Sequence, residues 1–306
     1  MKIRKPFIVM ICLLFVVLSV SACGTKEPTG TTPDEKSDIF RFEDYESDDV
    51  FDIEKLELSP ALASKCVSYQ FTYLSDGYQI KGYLSIPTSV IESQQPGKCL
   101  LYNRGGNRDL GKLEDTTTAN VCAACDRIVI ASQYRGAGGS QGEDRFGGDD
   151  LHDVIKLIDL CEERFPFADM DDFCTAGVSR GGMMSYMAAR QDSRIKRIIA
   201  ISALSDLFAS YEEREDMREV MAELIGSTPQ DDPEAYEKRS AICWADEIGV
   251  PVLIFHSKQD ARVSFSQAEA MNEKLKDSTF ITYDDDVHGS HREDVSVIRD
   301  WLSDHE

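Results

Sequence analysis

Positive charge is scarce in this 306-residue chain: 33 Lys and Arg stand against 55 Asp and Glu, a formal net charge of −22. So acidic a surface repels phosphodiester backbones and anionic headgroups, which argues against a nucleic-acid-binding role. Internal repeats are missing, so a solenoid or propeller array is not expected. A metal-ligating pattern is missing too. Cys122-Ala-Ala-Cys125 has redox or zinc spacing, but no second such pair and no histidine lies near it. The pair therefore reads as small apolar residues on a helix before a strand, and neither a metal nor an organic cofactor is expected. An apolar run long enough to span a membrane is also lacking, since the longest, Phe7 to Val20, is interrupted at Ser19. Apolar residues as a class are not lacking: at 42% hydrophobic, the chain can build a sizeable core.

The amino terminus is organised differently from the rest. Lys2, Arg4 and Lys5 precede the apolar run, and small residues follow it. That order is the pattern of a secretory signal peptide. Val20-Ser21-Ala22-Cys23 resembles a bacterial lipobox, which implies cleavage before Cys23, lipidation of its thiol and attachment to the outer face of the cell membrane. Loss of residues 1–22 would leave 30 Lys and Arg against 55 Asp and Glu, a net of −25, and seven cysteines beyond the anchor. Seven cannot all pair within one chain. Residues 23–55, acidic and rich in Thr, Pro, Gly and Ser in their first half, are expected to be a flexible tether, and 56–306 the folded domain.

From Val67 onward the pattern is that of a folded α/β chain. Val67, Tyr69, Phe71 and Tyr73 alternate with polar residues, Ser75-Asp76-Gly77 is turn chemistry, and a second strand runs to Ile86 before Pro87. This predicts an antiparallel hairpin at a sheet edge. Short apolar strands are then predicted at 99–102, 127–132, 174–178, 195–201, 252–255 and 279–283, with helices at 151–164, 181–190, 266–275 and 292–304. Such alternation predicts a mostly parallel central sheet with helices on both faces. Residues 205–247 interrupt it with two helices, 211–225 and 233–240, and no strand. An insertion there would form a small helical lid above the strand ends.

Gly177-Val178-Ser179-Arg180-Gly181 follows a predicted strand and precedes a predicted helix. A nucleophilic serine needs this setting: a sharp strand-to-helix turn, small flanking residues that let backbones approach, and a helix amino end facing the forming oxyanion. In the α/β-hydrolase order the acid and then the histidine follow. Asp260 lies on a loop just past the strand 252–255, and His288 on a loop after the last strand, beside Asp284-Asp285-Asp286 and Gly289. These are the expected acid and general base, with Ser179 the nucleophile. His291 is the competitor for the base, His256 is expected to support the acid, and His152 is expected to be structural in a helix. The oxyanion hole is expected to combine the amide of Arg180 with one from Asn103-Arg104-Gly105-Gly106-Asn107, either Gly105 or Arg104. The side chains of Arg104 and Arg180, close to the nucleophile, would favour substrates bearing a carboxylate.

The same stretches resemble the catalytic domain of the prolyl oligopeptidase family of serine peptidases over about residues 65–306. The resemblance rests on Lys81-Gly-Tyr-Leu-Ser-Ile-Pro87, Tyr102-Asn-Arg-Gly-Gly106, Tyr134-Arg-Gly-Ala-Gly-Gly-Ser140, Phe146-Gly-Gly-Asp-Asp150, Gly177-Val-Ser-Arg-Gly-Gly182, Arg239-Ser-Ala-Ile242 with Trp244-Ala-Asp246, and the segments around Asp260 and His288. It implies acyl-enzyme cleavage of small peptides or esters. Two positions depart from the family: Arg104 replaces a His or Tyr, and Arg180 replaces the Tyr that often follows the nucleophile. The family's amino-terminal propeller has no counterpart in the roughly 40 residues between Cys23 and the hairpin, too few for a blade with a tether. Selection of substrate by a propeller is therefore not inherited. A carboxylesterase acting on small or sugar esters and an inactive ligand-binding lipoprotein are the alternative readings.

Overall fold

A computed structural model of the chain describes residues 39–305, which belong to one unit, Asp38–Glu306. The signal peptide, Cys23 and the first part of the expected tether lie outside the described residues. The hairpin forms as its alternation requires. Strands β2 (Cys66–Ser75) and β3 (Tyr78–Pro87) pair antiparallel in register from Ser75↔Tyr78 to Cys66↔Pro87. The two-residue turn between them, Asp76-Gly77, has both φ angles positive, at 49° and 80°, the handedness that matches strand twist.

Six further strands carry the parallel part of the sheet: β4 (Gly97–Asn103), β5 (Ile128–Ser132), β6 (Ala168–Val178), β7 (Arg197–Ile201), β8 (Val252–Ser257) and β9 (Ser278–Tyr283). With β1 (Val50–Lys55) at one edge, the order is β1-β2-β3-β5-β4-β6-β7-β8-β9. Pairings from β5 to β9 are parallel and those from β1 to β5 antiparallel. The inner strands are apolar on both faces because both are covered. Cys99, Leu101, Ile128, Ile130, Ile198, Ala200, Val252 and Ile254 point into one core layer. Leu100, Val129, Cys174, Ala176, Ile199, Ile201, Leu253 and Phe255 point into the other. Helices α1 (Pro60–Ala63) and α2 (Thr88–Ser93) are short; α3 (Thr117–Cys125) and α10 (Asp294–Asp304) cover the second layer. Helices α4 (Asp150–Arg164), α5 (Arg180–Gln191) and α9 (Phe265–Lys274) cover the first. Cys122-Ala-Ala-Cys125 closes α3, as small apolar residues on a helix before a strand.

Several boundaries differ from expectation: the strand expected over 174–178 begins at Ala168, the helix expected over 233–240 ends at Glu237, and two larger differences concern the start of the fold and the lid. The fold begins well before residue 56. Phe42–Tyr45 forms a 3-10 turn, β1 pairs with β2, and Phe40, Phe42 and Val50 are buried. The Phe42 ring sits 5.1–6.2 Å from those of Tyr69, Phe71, Phe165 and Phe167. Asp44, Glu46 and Asp48 are exposed, and that acidity masks a buried aromatic anchor. The lid helix expected over 211–225 is two helices, α6 (Leu207–Glu213) and α7 (Glu215–Ile225). Asp206 caps α6, accepting from the Ala209 amide, so that helix starts early. The break falls at Arg214, which leaves the helical conformation at φ −114°, ψ 86°. Its guanidinium grips Asp216 with two bonds and donates to the carbonyl of Arg262 at 2.6 Å. With α8 (Pro233–Glu237), these helices fill the segment between β7 and β8, and Arg214 at the α6–α7 break contacts the loop after β8. Glu223 of α7 pairs with Arg108 in the loop after β4.

Candidate active site

Strand β6 ends at Val178 and α5 begins at Arg180, leaving Ser179 alone in the turn at φ 58°, ψ −122°. A non-glycine residue held there stores on the order of 1–3 kcal/mol of strain. The surrounding glycines are required by contact. A Cβ on Gly177 would lie 2.2 Å from the Gly181 carbonyl carbon, one on Gly181 2.0 Å from the Asn103 carbonyl oxygen, and one on Gly182 2.3 Å from the Ala203 Cβ. The Ser179 backbone is fixed on both sides: its amide donates to Ile201 O, and its carbonyl accepts from the amides of Gly182 and Leu204. Arg180 is the first helical residue, where an amide has no intrahelical acceptor. Gly105 approaches the elbow from the β4 loop; a Cβ there would meet Val178 O at 2.9 Å and the Ser179 Cβ at 3.6 Å.

Asp260 follows β8 and is buried. One carboxylate oxygen accepts from the amides of Arg262 and Val263 at 2.8 and 3.2 Å. The other accepts from His288 Nδ1 at 2.8 Å. Burial alone would push its pKa up, but the bonds from His288, Arg262 and Val263 outweigh burial and hold it below the usual carboxylate value. With its proton on Nδ1, His288 leaves Nε2 as a basic lone pair. The His288 loop is tied to the elbow through one residue. The Gly289 amide donates to Ser202 Oγ at 3.1 Å, and Ser202 follows Ile201, whose carbonyl holds the Ser179 amide.

The other histidines separate cleanly. His291 Nε2 bonds Asp285 at 2.9 Å and its ring stacks on Tyr283 at 3.8 Å, so the competitor is engaged elsewhere. His256 is fully buried, and its Nε2 donates to Val263 O at 2.9 Å, 3.5 Å from the Asp260 carboxylate. Burial lowers its pKa, keeping the ring neutral. His152, on α4, pairs with Asp76 at the hairpin turn.

The expectation that the Arg104 and Arg180 side chains receive a substrate carboxylate is overturned. Both are buried and spent internally. Arg104 donates to four carbonyls, those of Gln133, Gly105, Leu110 and Arg108. Arg180 donates to Gly106 O, holds Asp144 with two bonds of 2.8 Å and bonds Asp150. Asp144 and Ser202 were not singled out from sequence. Their partners lie 36 and 87 residues away, so no local pattern marks them.

Comparison with known proteins agrees with this architecture. A profile of the Prolyl oligopeptidase family matches residues 114–304, through the elbow and the Asp260 and His288 loops. An uncharacterized peptidase of Bacillus subtilis, YtmA, is 32% identical over 211 residues, 68% of this chain and 79% of that protein. The dipeptidyl-peptidase 5 of Aspergillus oryzae is 23% identical over 243 residues, 75% of this chain but only 33% of that longer protein. Among solved structures, the Pyrococcus horikoshii acylaminoacyl peptidase superposes with a TM-score of 0.68 at 20% identity, over 79% of this chain and 42% of its own. An acetyl xylan esterase from Paenibacillus sp. R4 superposes with a TM-score of 0.67 at 16% identity, over 92% and 97%. At such identities the structures speak to the fold, which is that of the α/β-hydrolases. The profile and the B. subtilis relative speak to descent: the chain is a serine hydrolase and belongs to the prolyl oligopeptidase family.

Proposed function

We propose that the protein is a serine peptidase acting on small peptides, with Ser179 as nucleophile, His288 as general base and Asp260 as the residue that orients it. The observation that carries this reading is the 2.8 Å bond from His288 Nδ1 to a buried Asp260, on a loop tied through Ser202 to the strained Ser179 elbow. Ser179 Oγ attacks the carbonyl carbon and His288 Nε2 takes its proton. Asp260 stabilises the imidazolium. The amide of Arg180 and one from Arg104 or Gly105 receive the oxyanion. Collapse expels the amine, protonated by His288, and water releases the acyl group by the same steps. A carboxylesterase is the second reading, because the same groups attack ester carbonyls and the Paenibacillus esterase has the same extent of fold. Export and lipidation at Cys23 complete the proposal, supported by the basic start, the apolar run and Val20-Ser21-Ala22-Cys23.

Parallel panels of aminoacyl nitroanilides and nitrophenyl esters, with Ser179→Ala as control, test the chemistry. Nitroanilide turnover that disappears in the control is the expected result. Ester turnover alone would replace the peptidase reading with the esterase. No turnover together with no fluorophosphonate labelling of Ser179 would leave a ligand-binding lipoprotein.

A further inference from the structure

The residue after the nucleophile carries an arginine whose charge is wholly inside the protein, with a side-chain exposure of 2%. Burying a guanidinium is costly, and a buried ion pair is weak evidence for stability. Its contacts show what the charge is used for. Nη1 donates to Gly106 O at 3.1 Å and to Asp144 at 2.8 Å; Nη2 donates to Asp144 at 2.8 Å and to Asp150. Asp144 in turn accepts from the amides of Arg108 at 2.6 Å and Phe146 at 2.9 Å. Asp150 accepts from the amides of Gly147 and Gly148. The guanidinium also lies over the rings of Tyr134 and Phe146, at 5.3 and 4.8 Å from their centres.

Three separate segments meet on this one group: the elbow that bears it, the Gly105-Gly106 loop, and the loop that runs from Tyr134 to the start of α4. In the middle segment Arg104 already holds the carbonyls of Gly105, Arg108 and Leu110, and the carbonyl of Gly106 is held by Arg180. Gly106 sits at φ +71°, and a Cβ there would lie 2.0 Å from Leu110 O, so neither glycine position can be stiffened by an ordinary side chain. An oxyanion hole works only if its donors are fixed within a few tenths of an ångström before the charge forms. We propose that Arg180 is a positioning residue that builds the oxyanion hole twice over: its own amide is one donor, and its guanidinium, bonded to Gly106 O, locks the loop that presents the other. This rests on the reading of Ser179 as nucleophile. It also accounts for the departure from the tyrosine often found there: a planar fork joins two carboxylates and a carbonyl at once, which a phenol cannot do.

The test uses the full chain and Arg180→Lys, which keeps one positive charge beside Asp144 and Asp150 but loses the fork. The readout is the second-order rate of Ser179 phosphonylation by a fluorophosphonate probe, whose transition state places oxygen in the same hole, together with the final extent of labelling. The expected result is a rate about 10–100-fold lower at unchanged final extent. Affinity for phenylboronic acid, which forms a tetrahedral adduct on the serine, should fall by the same factor. Asp144→Asn leaves Arg180 bonded to both Gly106 and Asp150 and should lose less than Arg180→Lys. A wild-type rate in Arg180→Lys would overturn the proposal. So would a loss of final extent with a normal rate in the labelled fraction, since that is the signature of a residue needed only for folding. Labelling that persists in Ser179→Ala would instead sink the underlying assignment of the nucleophile.

Discussion

Two buried arginine–aspartate clusters stand at opposite ends of the same sheet, made of the same chemistry and built differently. At the carboxyl ends of the strands one cation, Arg180, serves two carboxylates, Asp144 and Asp150, drawn from loops and the first turn of a helix. At the amino ends one carboxylate serves three cations: Asp172 bonds Arg127 at 2.6 Å and Arg197, with Lys98 3.7 Å away. Lys98, Asp172 and Arg197 lie on β4, β6 and β7, and Arg127 directly precedes β5. These strands are consecutive in the sheet, in the order β5-β4-β6-β7. The amino-end cluster therefore staples strands that hydrogen bonds already align, and the carboxyl-end cluster, with the Arg104 guanidinium beside it, organises loops that no strand ladder aligns. The lesson is that charge burial alone does not tell a frame from a site. What separates them is whether the joined segments would hold their places without it.

The contrast predicts that damage at one end silences chemistry and damage at the other melts the frame. His288→Gln should lower kcat by about 10⁴-fold or more with little change in the thermal midpoint, read by steady-state kinetics beside calorimetry. Asp172→Asn removes the negative charge that Arg127, Arg197 and Lys98 share. It should cost about 3–5 kcal/mol in urea unfolding while kcat per active site, counted by fluorophosphonate titration, stays at the wild-type value. A fall in kcat there would break the division between frame and site. His256 lies on the border, at the carboxyl end of β8 yet fully buried. The unfolded chain takes up a proton on this imidazole as pH falls through about 6.5, whereas burial keeps the folded ring neutral to lower pH. Its contribution is therefore intact above pH 6.5 and is lost as pH drops below it, by at most about 1.4 kcal/mol per pH unit. His256→Gln keeps a donor for Val263 O and should flatten that slope in urea titrations between pH 5 and 8. An unchanged slope would mean the folded ring titrates freely.

Much of the frame was legible because its causes are local. The apolar runs of β4 to β8 mark strands buried on both faces, the Asp76-Gly77 turn marks the hairpin, and the glycines around Ser179 mark an elbow where backbones nearly touch. Asp260 and His288 stood out by their placement just past strand ends. What stayed hidden depends on distant partners. The roles of Arg104 and Arg180 follow from carbonyls and carboxylates contributed by other loops, so proximity to Ser179 misled about both. The break at Arg214 follows from its grip on Asp216 and the carbonyl of Arg262. The start of the fold was hidden by composition, since Glu43, Asp44, Glu46 and Asp48 surround the few aromatic residues that decide it.

That hidden start also sets how the protein bears a pull. A load applied from the amino-terminal side meets the buried rings of Phe40 and Phe42 and then β1, an edge strand paired on one side only. Five strand spacings, about 24 Å at ~4.8 Å each, separate β1 from the β6 strand that bears Ser179. Tension would peel an aromatic clasp and one ladder of hydrogen bonds before reaching the parallel strands, so the edge would act as a mechanical fuse ahead of the Ser179 elbow.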